Sequence, residues 1–91
     1  MSNMFTTKRT ITANKDIAPR FAKNFVAKIT HFKSNVYFIM ENREINAKSI
    51  LGIISINIMN GDRFDVCIDS SISQECAEND MDKVIELLMG D

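Results

Sequence analysis

Ser49-Ile50-Leu51-Gly52-Ile53-Ile54-Ser55-Ile56-Asn57-Ile58 is the stretch whose reading decides the fold. It is apolar on nearly every side, and its run of isoleucines would suit a strand by β-propensity alone. The serine at its start and Gly52 within it argue instead for a short helix, with one buried face and one unusually greasy face. As a helix it falls between two groups of strands and sets the element order of the whole chain.

On its N-terminal side, Asn35 to Met40 alternates Val36, Phe38 and Met40 against Asn35, Tyr37 and Ile39, the period of a half-buried strand. Glu41-Asn42-Arg43 turns that strand back into Glu44-Ile45-Asn46, which predicts a hairpin. On its C-terminal side, Asn60-Gly61 is a turn signal, and Asp62 to Asp69 alternates Phe64, Val66 and Ile68 with Arg63, Asp65 and Cys67. That is another strand. Further out, Ala22, Phe25, Val26 and Ile29 recur at helical spacing between Pro19 and Phe32, with Pro19 suited to the first turn. Ala77, Met81, Val84, Ile85 and Leu88 repeat the pattern near the C-terminus, with Ser73 as N-cap and Glu75, Glu78 and Asp80 toward the helix start, where the dipole favours carboxylates. Threonine-rich Phe5 to Ala13 reads as a first strand whose inward and outward sets are poorly separated. The predicted order is β-α-β-β-α-β-α, an α+β fold with a four-stranded antiparallel sheet and three helices on one face.

With 91 residues, the chain is expected to form a single domain over 1–91, too short for two cores. Its 11 Lys and Arg against 12 Asp and Glu give no general attraction to nucleic acid or to an anionic membrane. No Arg/Lys stripe with interleaved aromatics points to nucleic acid, so none is expected to bind directly. Partners must be chosen by local patches. Cys67 and Cys76 are too few for a disulfide scaffold and have no zinc-site spacing; reduced thiols, no metal and no cofactor are expected. The segment Met1 to Thr12 has no signal-peptide core, and no apolar run reaches the ~20 residues of a membrane span. A cytoplasmic location is the expectation.

Asn46-Ala47-Lys48-Ser49-Ile50-Leu51-Gly52-Ile53-Ile54-Ser55-Ile56, followed by Asn60-Gly61-Asp62, resembles the segment around the regulatory serine of the HPr (histidine phosphocarrier) family. The resemblance runs from about Thr10 to Leu88. It implies the family's open-faced β-sandwich and is a further ground for taking the stretch from Ser49 as a helix. In that family a histidine at the start of the first helix, within Gly-Ile-His-Ala-Arg-Pro-Ala, carries a phosphoryl group from Enzyme I to sugar transporters. The matching residues here are Asp16-Ile17-Ala18-Pro19-Arg20-Phe21-Ala22. The resemblance puts Ala18 in the histidine's place, and a methyl group has no lone pair with which to attack a phosphoryl donor. Pro19 is displaced, and Phe21 stands where the family has proline. His31, the only histidine, lies 13 positions past Ala18, roughly 20 Å along a helix, and reads as a surface or helix-end residue.

The resemblance also implies that Ser49 is a phosphorylation site, with no catalytic residues. It places Ile50, Leu51 and Ile54 on a partly exposed apolar patch, with Arg20 across a shallow gap from the neighbouring helix end. Arg20 is open to two uses, a vestigial phosphate clamp or a partner contact. Lys48 reads as a solvated charge that a partner could also reach, and Ile53 and Ile56 as core. The implied partners are HPr kinase/phosphorylase and a LacI-type catabolite control protein. Losing the histidine and keeping the serine is similar to the catabolite-repression type of the family, Crh. The expected function is therefore a regulatory, non-enzymatic protein of carbon catabolite control, switched at Ser49. The alternative is a phosphotransferase-system component that binds Enzyme I or transporters as a carrier or competitor.

Overall fold

The computed structural model describes residues 4–90; residues 1–3, the beginning of the Met1–Thr12 segment read above, and residue 91 lie outside the described residues. The decisive stretch is a helix. The chain runs β1 (Phe5–Thr12), α1 (Pro19–Ile29), β2 (Asn35–Met40), β3 (Arg43–Asn46), α2 (Ile50–Ile56), β4 (Arg63–Ser70) and α3 (Gln74–Met89). Asn57 adopts a left-handed conformation and closes α2. Ile58 is thereby taken out of the helix and turned into the core, where it is buried.

The strands form one antiparallel sheet in the order β1-β4-β2-β3. The β2–β3 hairpin turns on Glu41 and Asn42, both at positive φ. This backbone matches strand twist, but a glutamate adopts it at a cost. Strand β3 consequently starts at Arg43, one residue earlier than the pattern suggested.

The sheet separates its faces as the alternation requires. Phe64, Val66 and Ile68 of β4 and Val36 and Phe38 of β2 point inward, and Asp65, Cys67 and Asp69 occupy the open face. All three helices cover the inner face. Ala22, Phe25, Val26 and Ile29 of α1, Ile53 and Ile56 of α2, and Ala77, Met81, Val84 and Leu88 of α3 complete one contiguous core. An aromatic file crosses it: Phe21 stacks on Phe25, Phe25 meets Phe38 at 5.8 Å, and Phe38 meets Phe64 edge-on at 5.2 Å. Burial of rings such as Phe38, which is fully enclosed, contributes about 1.5–3 kcal/mol each.

The blurred pattern of β1 has a structural cause. Its inward-facing Thr7 and Arg9 meet α3 through polar contacts: the Thr7 hydroxyl donates to Glu78, and the Arg9 guanidinium pairs with Asp82 at 3.0 Å. Being an edge strand, β1 fills its inner face with charge and hydroxyl as well as apolar side chains. Ser34 is buried in the α1–β2 loop and donates to Asp80 at 2.6 Å, tying that loop to α3.

Candidate functional site

Ser49 is held by the segment before it. Ala47 is buried and its N–H donates to the Val36 carbonyl at 2.8 Å, anchoring the β3–α2 connection to β2. Asn46 folds the chain over itself, its side chain accepting from the Lys48 N–H at 2.9 Å and its carbonyl from the Ser49 N–H at 3.0 Å. This side chain-to-backbone turn delivers Ser49 in an extended conformation, φ −105° and ψ 116°, at the N-cap of α2. There its hydroxyl accepts from the Gly52 N–H at 3.0 Å while its carbonyl takes the first helical bond, from Ile53. One of the free N–H groups at the helix start is thus satisfied by the serine side chain.

Gly52 has a steric role in this arrangement. A Cβ there would sit 3.2 Å from the Ser49 hydroxyl and 3.4 Å from the Asn46 carbonyl. The absence of a side chain leaves the hydroxyl room to cap. Ser49 itself is half-buried, and so partly reachable from outside.

Around it, α2 has the two faces that the stretch suggested. Ile53 and Ile56 are buried, while Leu51 is 80% exposed and Ile50 and Ile54 are about one-third exposed. The short helix thus carries three apolar side chains into solvent beside a capped serine. Lys48 differs from its sequence reading. It is half-buried, and its ammonium donates to the Phe32 carbonyl just past α1. Its charge is spent on joining α1 to the loop that presents Ser49, so it is not a freely solvated group.

Ala18 also stands at a helix start. It is the N-cap of α1, extended at φ −78° and ψ 162°, with no side-chain cap bond, and Pro19 follows in the first turn. The conformation is the one a residue before proline prefers. Its loop is zipped to the α2–β4 connection: Ile17 N–H donates to Ile58 at 2.9 Å, Asn60 N–H to the Asp16 carboxylate at 2.8 Å, and Ala13 and Gly61 also bond across.

These bonds place the start of α1 beside the end of α2, and the Lys48–Phe32 bond places the end of α1 beside the start of α2. The two helices therefore run antiparallel. Ala18 and Ser49 sit at opposite ends of the pair, separated by on the order of a helix length, 10–16 Å. Arg20 is exposed in the first turn of α1. His31 lies past the other end of α1, exposed, with its ring edge-on to Phe32 at 5.3 Å.

The two thiols stand on different elements, Cys67 on the open face of the sheet and Cys76 in the first turn of α3, and both are free. Partial burial, with Asp65 nearby, pushes the Cys67 thiol above its ordinary pKa. Burial and Asp69 do the same to the Tyr37 phenol beside it. Both groups stay protonated at neutral pH, which makes Cys67 a poor nucleophile. No group of His, Cys, Asp and Glu with metal-binding geometry occurs among the described residues, and none of their helices is long and apolar enough to cross a membrane.

The family model described as the PTS HPr component phosphorylation site matches residues 5–88. Among solved structures, the phosphocarrier protein HPr of Bacillus anthracis superposes with a TM-score of 0.80 at 21% identity, over 92% of this chain and 98% of that one. HPr-C-His of Thermoanaerobacter tengcongensis gives 0.66 at 23% identity, over 91% and 93% of the two chains. Crh of Bacillus subtilis, a catabolite repression protein seen as a swapped dimer, gives 0.63 at 25% identity, over 87% and 91%. No significant match to a curated protein was found.

Proposed function

The chain belongs to the HPr family, and from that premise we propose that it is a regulatory member, switched by phosphorylation of Ser49 and acting in carbon catabolite control in the cytoplasm, that carries no phosphoryl group on a histidine. The observation that carries this reading is the contrast between two helix starts. At α1, Ala18 presents a methyl group, with neither a lone pair to attack phosphorus nor a proton to exchange. At α2, Ser49 presents a positioned hydroxyl.

The chemistry at Ser49 would be that of a kinase substrate. The hydroxyl oxygen attacks the γ-phosphorus of ATP, its proton passes to a base of the kinase, and ADP leaves. The product ester stays at the start of α2, where the N–H of Gly52 and the partial positive end of the helix favour its negative charge. The fold would be kept and the surface changed. Exposed Ile50, Leu51 and Ile54 then supply apolar anchors beside a dianion, a combination suited to a partner that reads both. The family points to HPr kinase/phosphorylase as the modifying enzyme and to a LacI-type catabolite control protein as the reader. Arg20, exposed in the first turn of α1, serves as a second contact with such a partner.

The test is phosphate incorporation. Incubation with the kinase and ATP should add one phosphate, located at Ser49 by mass spectrometry, whereas phosphoenolpyruvate with Enzyme I should add none. An unmodified Ser49 after kinase treatment overturns the proposal. The apolar surface of α2 is exposed in the unmodified protein too, which favours as the second reading a competitor that binds Enzyme I or a transporter. Binding to those proteins that is indifferent to Ser49→Asp and Ser49→Ala would select it.

A further inference from the structure

We propose that the trough between α1 and α3, remote from Ser49, is a docking site for a short acidic segment of a partner protein. Two adjoining hollows form it. One lies against Lys15, Phe21 and Lys28, the other against Lys28, His31, Phe32 and Lys83, and Lys28, Glu86 and Leu87 line both.

The charge of this flank follows from the sequence in a way that the net balance hides. From Ile17 to Met40 there is no Asp or Glu, while Arg20, Lys23, Lys28 and Lys33 fall in that stretch. All of α1 is therefore cationic. Across the trough, α3 holds several acids, but most are turned to other work: Glu78 accepts from Thr7, Asp80 from Ser34 and Asp82 from Arg9. Glu86 is the one carboxylate lining the trough among the described residues. Lys28 and Lys83 are exposed, and among the described residues neither they nor Glu86 forms an ion pair, the Arg9–Asp82 bridge being the one present.

Beneath these cations the trough is aromatic and apolar. Phe21, Phe32 and Leu87 are each half-buried, and Lys15 lies over the Phe21 ring at 5.0 Å while donating to the Gly90 carbonyl. Lys15 is thus committed at one end, and Lys28 and Lys83 are the cations left to meet a ligand. From Phe21 to His31 the trough runs roughly 15 Å at the helical rise. An extended peptide at about 3.3 Å per residue would fill it with four or five residues. Carboxylates facing Lys28 and Lys83, and one apolar side chain seated on the Phe rings, are the complement this surface asks for.

The test is an NMR titration of the ¹⁵N-labelled full chain with the blocked peptide Asp-Glu-Phe-Asp-Glu. Shifts should concentrate at Phe21, Lys28, His31 and Lys83, and leave the amides of α2 unmoved. Affinity should fall about tenfold between low salt and 0.2 M salt, as expected of exposed charges, and at least as much in Lys28→Glu/Lys83→Glu. Ser49→Ala should bind unchanged, which separates this site from the proposed switch. Shifts confined to α2, equal binding of the Asn-Gln-Phe-Asn-Gln peptide, no shifts at millimolar peptide, or tighter binding of an oligothymidylate at the same residues would each overturn it.

Discussion

Helices α1 and α2 lie antiparallel, yet their first turns are built on opposite chemistry. α2 has 7 residues, four of them isoleucine and one glycine, all weaker helix formers than alanine or leucine, and it begins with a serine whose hydroxyl caps Gly52. α1 has 11 residues and begins without a side-chain cap. The difference reflects where each helix gets its stability. α1 buries Ala22, Phe25, Val26 and Ile29, enough apolar surface to leave its N-terminus bare. α2 buries Ile53 and Ile56, and so short a helix needs its nucleating turn supported locally. A helix end that depends on one hydroxyl is also an end where altering that hydroxyl has consequences.

Several substitutions would break or sharpen this contrast. Ile53→Ala removes one of the two anchors of α2 from a fully enclosed position and should cost about 2–5 kcal/mol in urea unfolding. If it costs under 1, α2 is not held by burial. Ser49→Ala should cost about 1 kcal/mol through loss of the cap, and should abolish phosphate incorporation altogether. Ala18→Asp, at an extended N-cap that lacks a side-chain bond, should gain about 0.5–1 kcal/mol; a loss would show that the start of α1 is constrained by something besides its missing cap.

Gly52→Ala tests the coupling between Ser49 and its turn. An exposed Gly→Ala in a helix normally gains about 1 kcal/mol, but here the added methyl meets the capping hydroxyl at 3.2 Å. The gain should be absent, should stay small in the Ser49→Ala background, where the Cβ of residue 49 still lies 3.3 Å from the added methyl, and should return most fully with Ser49→Gly, as double-mutant cycles would show. Leu51→Lys, at 80% exposure, should change stability by less than about 0.5 kcal/mol while weakening any partner that docks on α2. A stability loss above that would mean the side chain already packs on the protein.

How much of this was legible beforehand varied with the kind of interaction. Helix α1, helix α3 and strands β2 and β4 declared themselves through periodicity, because one buried face imposes a fixed repeat on the chain. Ser49 as a helix N-cap was readable from a serine standing before a short apolar run with Gly52, whereas the exposure of Ile50, Leu51 and Ile54 came only through the resemblance to the HPr family, because a run apolar on every side does not say which side is buried. Strand β1 was blurred because Thr7 and Arg9, which share a face with Phe5 and Ile11 by register, meet polar partners there, Glu78 and Asp82 on α3, residues more than 70 positions away. The ends of elements moved where backbone conformation took over, at left-handed Asn57 and at the Glu41–Asn42 turn.

The sequence by itself determined the order of elements, the core-facing residues, and which of two helix starts has a hydroxyl and which a methyl, because these depend on side-chain identity and local spacing. Tertiary structure alone decided how they meet. It set α1 antiparallel to α2, with their two starts at opposite ends of the pair; it spent the charge of Lys48 on the Phe32 carbonyl; and it turned the acids of α3 toward β1 and the α1–β2 loop, leaving the α1 flank basic. Each of these depends on pairing groups distant along the chain, and a distant partner leaves no periodic mark on the sequence.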